Sequence, residues 1–386
     1  MIKIVFRKNL IYLLLLIISY FTRRIIAIIL NGFGLINSLI FSFLMCLGQI
    51  VGGSLIYWYQ NSFLNKKEKI QEKKYLYELI TTERELTMAD NMHKIRLLIF
   101  FAAFFDLEEY IIISFFIPKL VNLSATITIR LCCIMTITSS IICTHTLKSR
   151  IGKHQIFSLI ILGLISCIII ILEFIYTTKD VNIGKYIISY SCVVFHFIFL
   201  SFTDVIEKYL VDYNYINPFQ ILMSEGIINF LLSSIYSIFY NPFDKISHIY
   251  QEKETGKFTL LIFLMLLYSV LSAFVNIYKL LCNVLYSPMT KSLASYFLSS
   301  PFIIYHYVMG NDFINDGEKN TFYFIISLVF SVLIDIFGLI YNEFFILKCF
   351  GLSKETYDGI SIRARESQTE LNDFKNSDNN NITDND

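Results

Sequence analysis

Apolar residues fall in ten long runs, near positions 9–30, 33–59, 95–118, 123–147, 154–176, 184–204, 218–240, 258–284, 287–310 and 320–347. A helix needs about 20 apolar residues to cross the hydrocarbon core of a bilayer, so each run predicts a transmembrane helix. The first run carries Arg23 and Arg24 in its second half, where long stems can bring the charges to an interface. Runs eight and nine are separated at Ser287-Pro288, because proline disfavours helix in the residue before it. The pattern predicts an all-α integral membrane protein with ten transmembrane helices.

Composition agrees. The chain has 386 residues, 55% hydrophobic and 16% charged, with mean hydropathy +0.59. A soluble domain carries roughly 25% charged residues. The net charge of +1 provides no whole-molecule field for nucleic acid. The N-terminal run lacks a small-residue cleavage pattern and reads as an uncleaved first helix. Seven of the eight cysteines, all but Cys349, lie inside apolar runs without metal-ligand spacing. They read as free thiols packed between helices, so neither a disulfide framework nor a zinc site is expected.

Charge in the links sets the topology. If residues 1–8 are cytosolic, alternate links place 19 of the 32 Lys and Arg on that side, including the basic loop 60–94. The positive-inside rule then puts both termini in the cytosol, as ten crossings also require. Residues 352–386 are polar and rich in Asn and Asp, the composition of a disordered tail. A division near 180 leaves five spans in 9–176 and five in 184–347. Five is odd, so the second set is inverted relative to the first, the plan of many secondary transporters.

Charged side chains at membrane depth are costly and usually face a cavity or a partner. Span 3 carries Asp106, Glu108 and Glu109, span 4 carries Arg130, and span 9 begins with Lys291. Two readings stay open for Arg130. It faces a shared cavity with Lys291 and attracts an anion, or it pairs with a buried carboxylate such as Asp106. Lys279, Asp335 and Glu343 lie on span flanks and are expected to snorkel, and His196 to be a hydrogen-bonded interior histidine. No hydrolase elbow, phosphate-binding loop, zinc-protease or dinucleotide motif is present. Neither enzymatic activity nor ATP-driven pumping is expected, and no cofactor or metal.

The stretch from Val205 to Gly226 contains Glu207-Lys208-Tyr209, Asn217-Pro218 and Glu225-Gly226. With Met45-Cys46-Leu47-Gly48-Gln49, Ala103-Phe104-Phe105-Asp106, Ile129-Arg130 and the Gly338-to-Asn342 segment, it resembles the drug/metabolite transporter superfamily. The nearest resemblance is to the nucleotide-sugar-transporter-like F subfamily of solute carrier family 35. Gln49 stands where an acid is usual there, and Leu131 where glycine follows the arginine.

The resemblance implies two inverted five-helix repeats and alternating-access transport of a small anionic metabolite, nucleotide-sugar-like, across an endomembrane (Golgi, ER or lysosome/vacuole-like). Arg130 and Lys291 would recognise charge. Asp106, Glu207, Lys208 and Glu225 would be structural or gating groups, with Glu207 and Lys208 at the cytosolic exit of span 6. Lys208 is the expected partner of Glu225. Expected partners are membrane lipids, a small-molecule substrate and a second copy in a homodimer, with no nucleic acid. The rival readings are a non-transporting scaffold or receptor that uses the basic loop, and an exporter of apolar drug-like substrates should Arg130 be fully paired.

Overall fold

A computed structural model of the chain describes residues 2–4, 11–33, 35, 39–63, 87–111, 127–177, 183–214, 216–239, 255–309, 314–315, 318–347 and 356. Helices are α1 (Ile11–Gly32), α2 (Ile40–Phe63), α3 (Thr87–Ile111), α4 (Ile127–Arg130), α5 (Cys133–Thr146), α6 (Lys153–Thr177), α7 (Ile183–Asn214), α8 (Pro218–Phe239), α9 (Thr255–Leu285), α10 (Pro288–Met309) and α11 (Thr321–Tyr341). Short strands are β1 (Ile2–Ile4), β2 (Ile314–Asn315), β3 (Glu318–Lys319) and β4 (Phe345–Leu347). Most of the basic loop, residues 64–86, and nearly all of the expected tail lie outside the described residues, as do the side chains of Glu108 and Glu109.

Seven of these helices are long and apolar enough to cross a membrane: α1, α2, α6, α7, α8, α9 and α11. Their outward faces explain why a bilayer is the right solvent. Leu162, Ile165 and Ile169 of α6 are buried, while Ile160, Leu164, Ile168, Ile171 and Ile175 on the other side are exposed. A helix apolar all round belongs in a protein core or in lipid. Here Leu164 is 58% exposed and Ile175 59%, which excludes the core. The chain is a multi-pass membrane protein.

The other expected spans correspond to α3, to α4 with α5, and to α10, which carry more polar residues or an interruption. At Leu131–Cys132 the helix tightens, with Ile134 N bonding Leu131 O and Met135 N bonding Cys132 O. These three-residue steps are the tighter 3₁₀ pattern that often marks a hinge.

Helix α2 packs between α8 and α9, and α3 packs against α7 and α8. Two glycines set the depth of α2. A Cβ at Gly48 would lie 2.6 Å from the Ser269 carbonyl oxygen of α9, and one at Gly53 would lie 2.9 Å from the Met223 nitrogen of α8. Small residues let helix backbones approach this closely, which in lipid replaces the hydrophobic drive for association. Helix α1 lies against α9 and α10, α5 against α7, and α6 against α11. The largest core cluster joins Leu16, Leu131, Leu162, Phe197, Leu293, Tyr296 and Ile334.

Two features depart from the sequence reading. First, the chain is not purely helical at its ends: β1 pairs antiparallel with β4, Ile2 opposite Leu347 and Ile4 opposite Phe345. Residues near the two termini therefore meet at one end of the bundle. Second, α7 continues ten residues beyond the expected limit at 204. No Gly or Pro occurs in the added residues 205–214, and Lys208 and Asp212 form an i,i+4 ion pair at 3.2 Å along them. Glu207 and Lys208 thus sit on a helix rather than in a link. Helix α8 then starts at Pro218, with the Asn217 side chain accepting from Phe219 N at 2.9 Å.

Candidate functional site

Charged and amide side chains from six helices converge in one buried cluster. Helix α3 places Asp106 at its centre. Asp106 Oδ2 accepts from Gln49 Nε2 of α2 at 3.1 Å and from Asn229 Nδ2 of α8 at 3.2 Å. Its Oδ1 accepts from Lys279 Nζ of α9 at 3.2 Å. The same ammonium lies 3.9 Å from Asp204 Oδ1 of α7, which also pairs with Lys291 of α10. Asn283 of α9 donates to the Asp204 carbonyl oxygen at 2.7 Å and to Glu207 Oε2 at 2.8 Å. Glu225 of α8 is buried within electrostatic reach of Asp106, Asp204, Glu207 and Lys279. All nine side chains are buried.

The depth of the cluster follows from helix geometry. Asn229 lies 11 residues into α8, about 16 Å from its start at about 1.5 Å per residue. That is half of a hydrocarbon core about 30 Å thick. The cluster thus runs from Lys291, in the first turn of α10, to Asp106 and Asn229 near the middle of the bundle.

A second, smaller cluster surrounds Arg130 at the end of α4. Arg130 Nη1 lies 2.7 Å from Glu173 Oε2 of α6, both fully buried. Tyr323 of α11 accepts from Arg130 and donates to Glu173. The Asn320 side chain, which caps α11, accepts from Tyr323 N at 2.9 Å. Tyr176 stacks on the Tyr323 ring with centroids 4.9 Å apart.

The two clusters occupy opposite ends of the bundle. Tyr323 opens α11, while Asn342 follows its last residue and accepts from Thr290, the neighbour of Lys291, at 2.8 Å. The helix between Tyr323 and Asn342 rises about 28 Å. Antiparallel α6 repeats the pattern, with Glu173 at the Tyr323 end and His154 3.3 Å from Glu343 at the other.

Several sequence expectations change on this geometry. Arg130 and Lys291 do not share a cavity; they lie at opposite ends, each against a carboxylate. Asp106 pairs with Lys279, and the carboxylate on Arg130 is Glu173. Lys279, expected to snorkel from a flank, is 7% exposed and sits inside the main cluster. Lys208 does not hold Glu225; it donates to the Val284 carbonyl oxygen at 2.6 Å and pairs with Asp212. Glu207, expected at a membrane exit, is 3% exposed.

The sequence reading missed Glu173, Asp204, Asn229 and Asn283. Glu173 had a signal, as a lone acid near the end of an otherwise apolar run. Asn283 lies four residues after Lys279 and so on the same helix face. Asp204 and Asn229 are single polar residues that only a partner makes notable.

Buried ion pairs with satisfied geometry tolerate the membrane interior, yet they seldom repay full desolvation. In a membrane protein, charged side chains buried among apolar helices usually face a cavity or a partner, and six ionisable side chains with three amides are gathered here. Among the described residues, no group of three or more His, Cys, Asp or Glu is placed to hold a metal ion. No protein-family model matches the chain, and a search of curated proteins finds no match, so the functional reading rests on the site.

Proposed function

We infer that the chain is a secondary transporter that moves a small polar solute by alternating access, with the Asp106–Lys279–Asp204–Lys291 cluster as its central site. One observation carries this reading: two buried ionic clusters, one running from the Lys291 end to the middle of the bundle and one at the opposite end around Arg130, each cross between the halves of the chain. In the first, Asp106 and Gln49 of the first half meet Lys279 and Asn229 of the second. In the second, Arg130 and Glu173 meet Tyr323. Breaking one set while keeping the other would open the site to one side at a time, the cycle such transporters require.

Packing supports two inverted five-helix repeats within ten crossings. Counting α4 with α5 as the fourth crossing, a shift of five exchanges α1 with α7, α2 with α8, α3 with α9, α4–α5 with α10, and α6 with α11. Under that exchange the α3–α7 contact becomes α9–α1, and α2–α9 becomes α8–α3. Likewise α5–α7 becomes α10–α1, and α10–α11 becomes α5–α6, while α2–α8 and α6–α11 map onto themselves. The β1–β4 pair supports an even number of crossings, because seven would separate the strands by a membrane.

The resemblance to the drug/metabolite transporter superfamily, and to its nucleotide-sugar-transporter-like subfamily, belongs to the same proposal. So does placement in an endomembrane with both termini cytosolic. The pairing of Arg130 with Glu173 is also what an exporter of apolar compounds would have, but nine buried polar side chains are a poor lining for an apolar solute. Reconstitution of the full chain in liposomes, with counterflow of a panel of amines, sugar nucleotides and phosphorylated metabolites, tests the reading. Saturable, trans-stimulated uptake is expected. No uptake of any solute by folded protein favours a scaffold.

A further inference from the structure

The central cluster has an unequal inventory. It holds four carboxylates, Asp106, Asp204, Glu207 and Glu225, against two ammonium groups, Lys279 and Lys291. Its unsatisfied atoms are one-sided as well. Among the described residues, Glu225 Oε1, Asp204 Oδ2, Gln49 Oε1, Asn229 Oδ1 and Asn283 Oδ1 are buried without a hydrogen-bond partner. All five are acceptors, while Asn276 Nδ2, three residues before Lys279 on α9, is a buried donor without a partner. Each residue is nine-tenths buried or more.

The three amide orientations follow from chemistry. A carboxylate accepts and cannot donate, so the –NH₂ groups of Gln49 and Asn229 must face Asp106, and their carbonyl oxygens must face away. Asn283 is fixed in the same way, because its –NH₂ faces a carbonyl oxygen and the Glu207 carboxylate. An unmade hydrogen bond to a buried acceptor costs about 1–3 kcal/mol. The open atoms of these five side chains therefore call for hydrogen-bond donors.

From this we propose that the central site recognises a small organic cation with N–H donors, a protonated amine, through Glu225 and the neighbouring acceptors. This deepens the transport reading and rests on it. The phosphates of an anionic solute are acceptors, like the atoms left open here, and they would face four carboxyl groups. An inorganic divalent cation needs several oxygen ligands from converging carboxylates, and no such group is placed among the described residues. Glu225 is the residue to alter, because it adds to the surplus of carboxyl groups and its Oε1 is buried without a hydrogen-bond partner.

The test uses the full chain purified in detergent. Thermal unfolding is followed with ethanolamine, putrescine, choline, UDP-glucose and glucose 6-phosphate. A ligand that binds only the folded state raises Tm with its concentration. Ethanolamine and putrescine are expected to raise Tm more than choline, which has a charge but no N–H, and the two anions are expected to do nothing. In Glu225→Gln the unliganded Tm should equal or exceed that of the native chain, since a buried carboxyl beyond those paired with Lys279 and Lys291 is gone. Its affinity for the amines should fall at least about tenfold. Equal amine binding by native protein and Glu225→Gln overturns the assignment of the site. UDP-glucose that stabilises and drives counterflow, with inert amines, overturns the cation assignment and leaves transport standing. A folded protein that neither binds nor moves either class overturns both.

Discussion

Lys279 Nζ reaches Asp106 Oδ1 at 3.2 Å, although 173 residues separate the two in sequence. The contact joins α9 to α3, and through Asp106 it reaches α2 and α8. Lys279 also lies 3.9 Å from Asp204, and Asp106 also accepts from Gln49 and Asn229, so the pair is the charged centre of a wider network. The pair thereby ties the two halves of the chain at the depth where a transported solute would sit.

Lys279→Met should be strongly destabilising, by about 3–5 kcal/mol, because it leaves Asp106 without its cation, whereas Asp204 keeps Lys291. Asp106→Asn in the same chain should recover much of the loss. A double-mutant cycle on detergent-solubilised protein, read by thermal unfolding, measures the coupling, and additivity within about 0.5 kcal/mol would deny it.

At the other end, Arg130→Met with Glu173→Leu replaces a buried ion pair by apolar side chains. Such replacements are often neutral or stabilising. The double variant should unfold near the temperature of the native protein, whereas Glu173→Leu alone should be destabilised by about 3–5 kcal/mol. Counterflow by the stable double variant should nevertheless be reduced, since the switchable link to Tyr323 is gone. Undiminished flux would show that this cluster is structural.

Gly48→Ala places a methyl against backbone of α9 that cannot move aside cheaply, and overpacking of this kind costs about 1–3 kcal/mol. Gly256→Ala, where a Cβ meets nothing within 4 Å, should be neutral or slightly stabilising. Thermal unfolding of the two variants side by side checks the close α2–α9 approach.

The β1–β4 pair fixes both ends of the helical region on one side. Epitope tags at the two termini should therefore become accessible together when vesicles are probed before and after permeabilisation. Tags accessible from opposite sides would contradict an even number of crossings.

Much of the fold was legible because lipid imposes a simple rule: apolar runs of fixed length become helices, and α1, α6, α8, α9 and α10 follow their runs closely, while α2 starts seven residues late and α11 ends six residues early. The end of α7 was not legible, because Glu207 and Lys208 look like a polar exit and become helical through an i,i+4 pair and burial. The site was half legible. Asp106 and Arg130 announced themselves as charges at membrane depth, but their partners did not. Lys279 and Glu173 lie near span ends, where snorkelling is the usual fate, and only packing between distant helices shows which cation meets which carboxylate. The surplus of carboxyl groups was likewise hidden, since it depends on α3, α7 and α8 burying Asp106, Asp204, Glu207 and Glu225 along one cluster.

Counterflow into liposomes containing the purified full chain tests the central claim most directly. Vesicles preloaded with an amine such as putrescine should accumulate external labelled putrescine in a saturable manner. That accumulation should be lost in Lys279→Met with Asp106→Asn, which removes the central pair while keeping its charges balanced. Flux that persists unchanged in that double variant, or no trans-stimulated flux of any solute by folded native protein, would contradict the account.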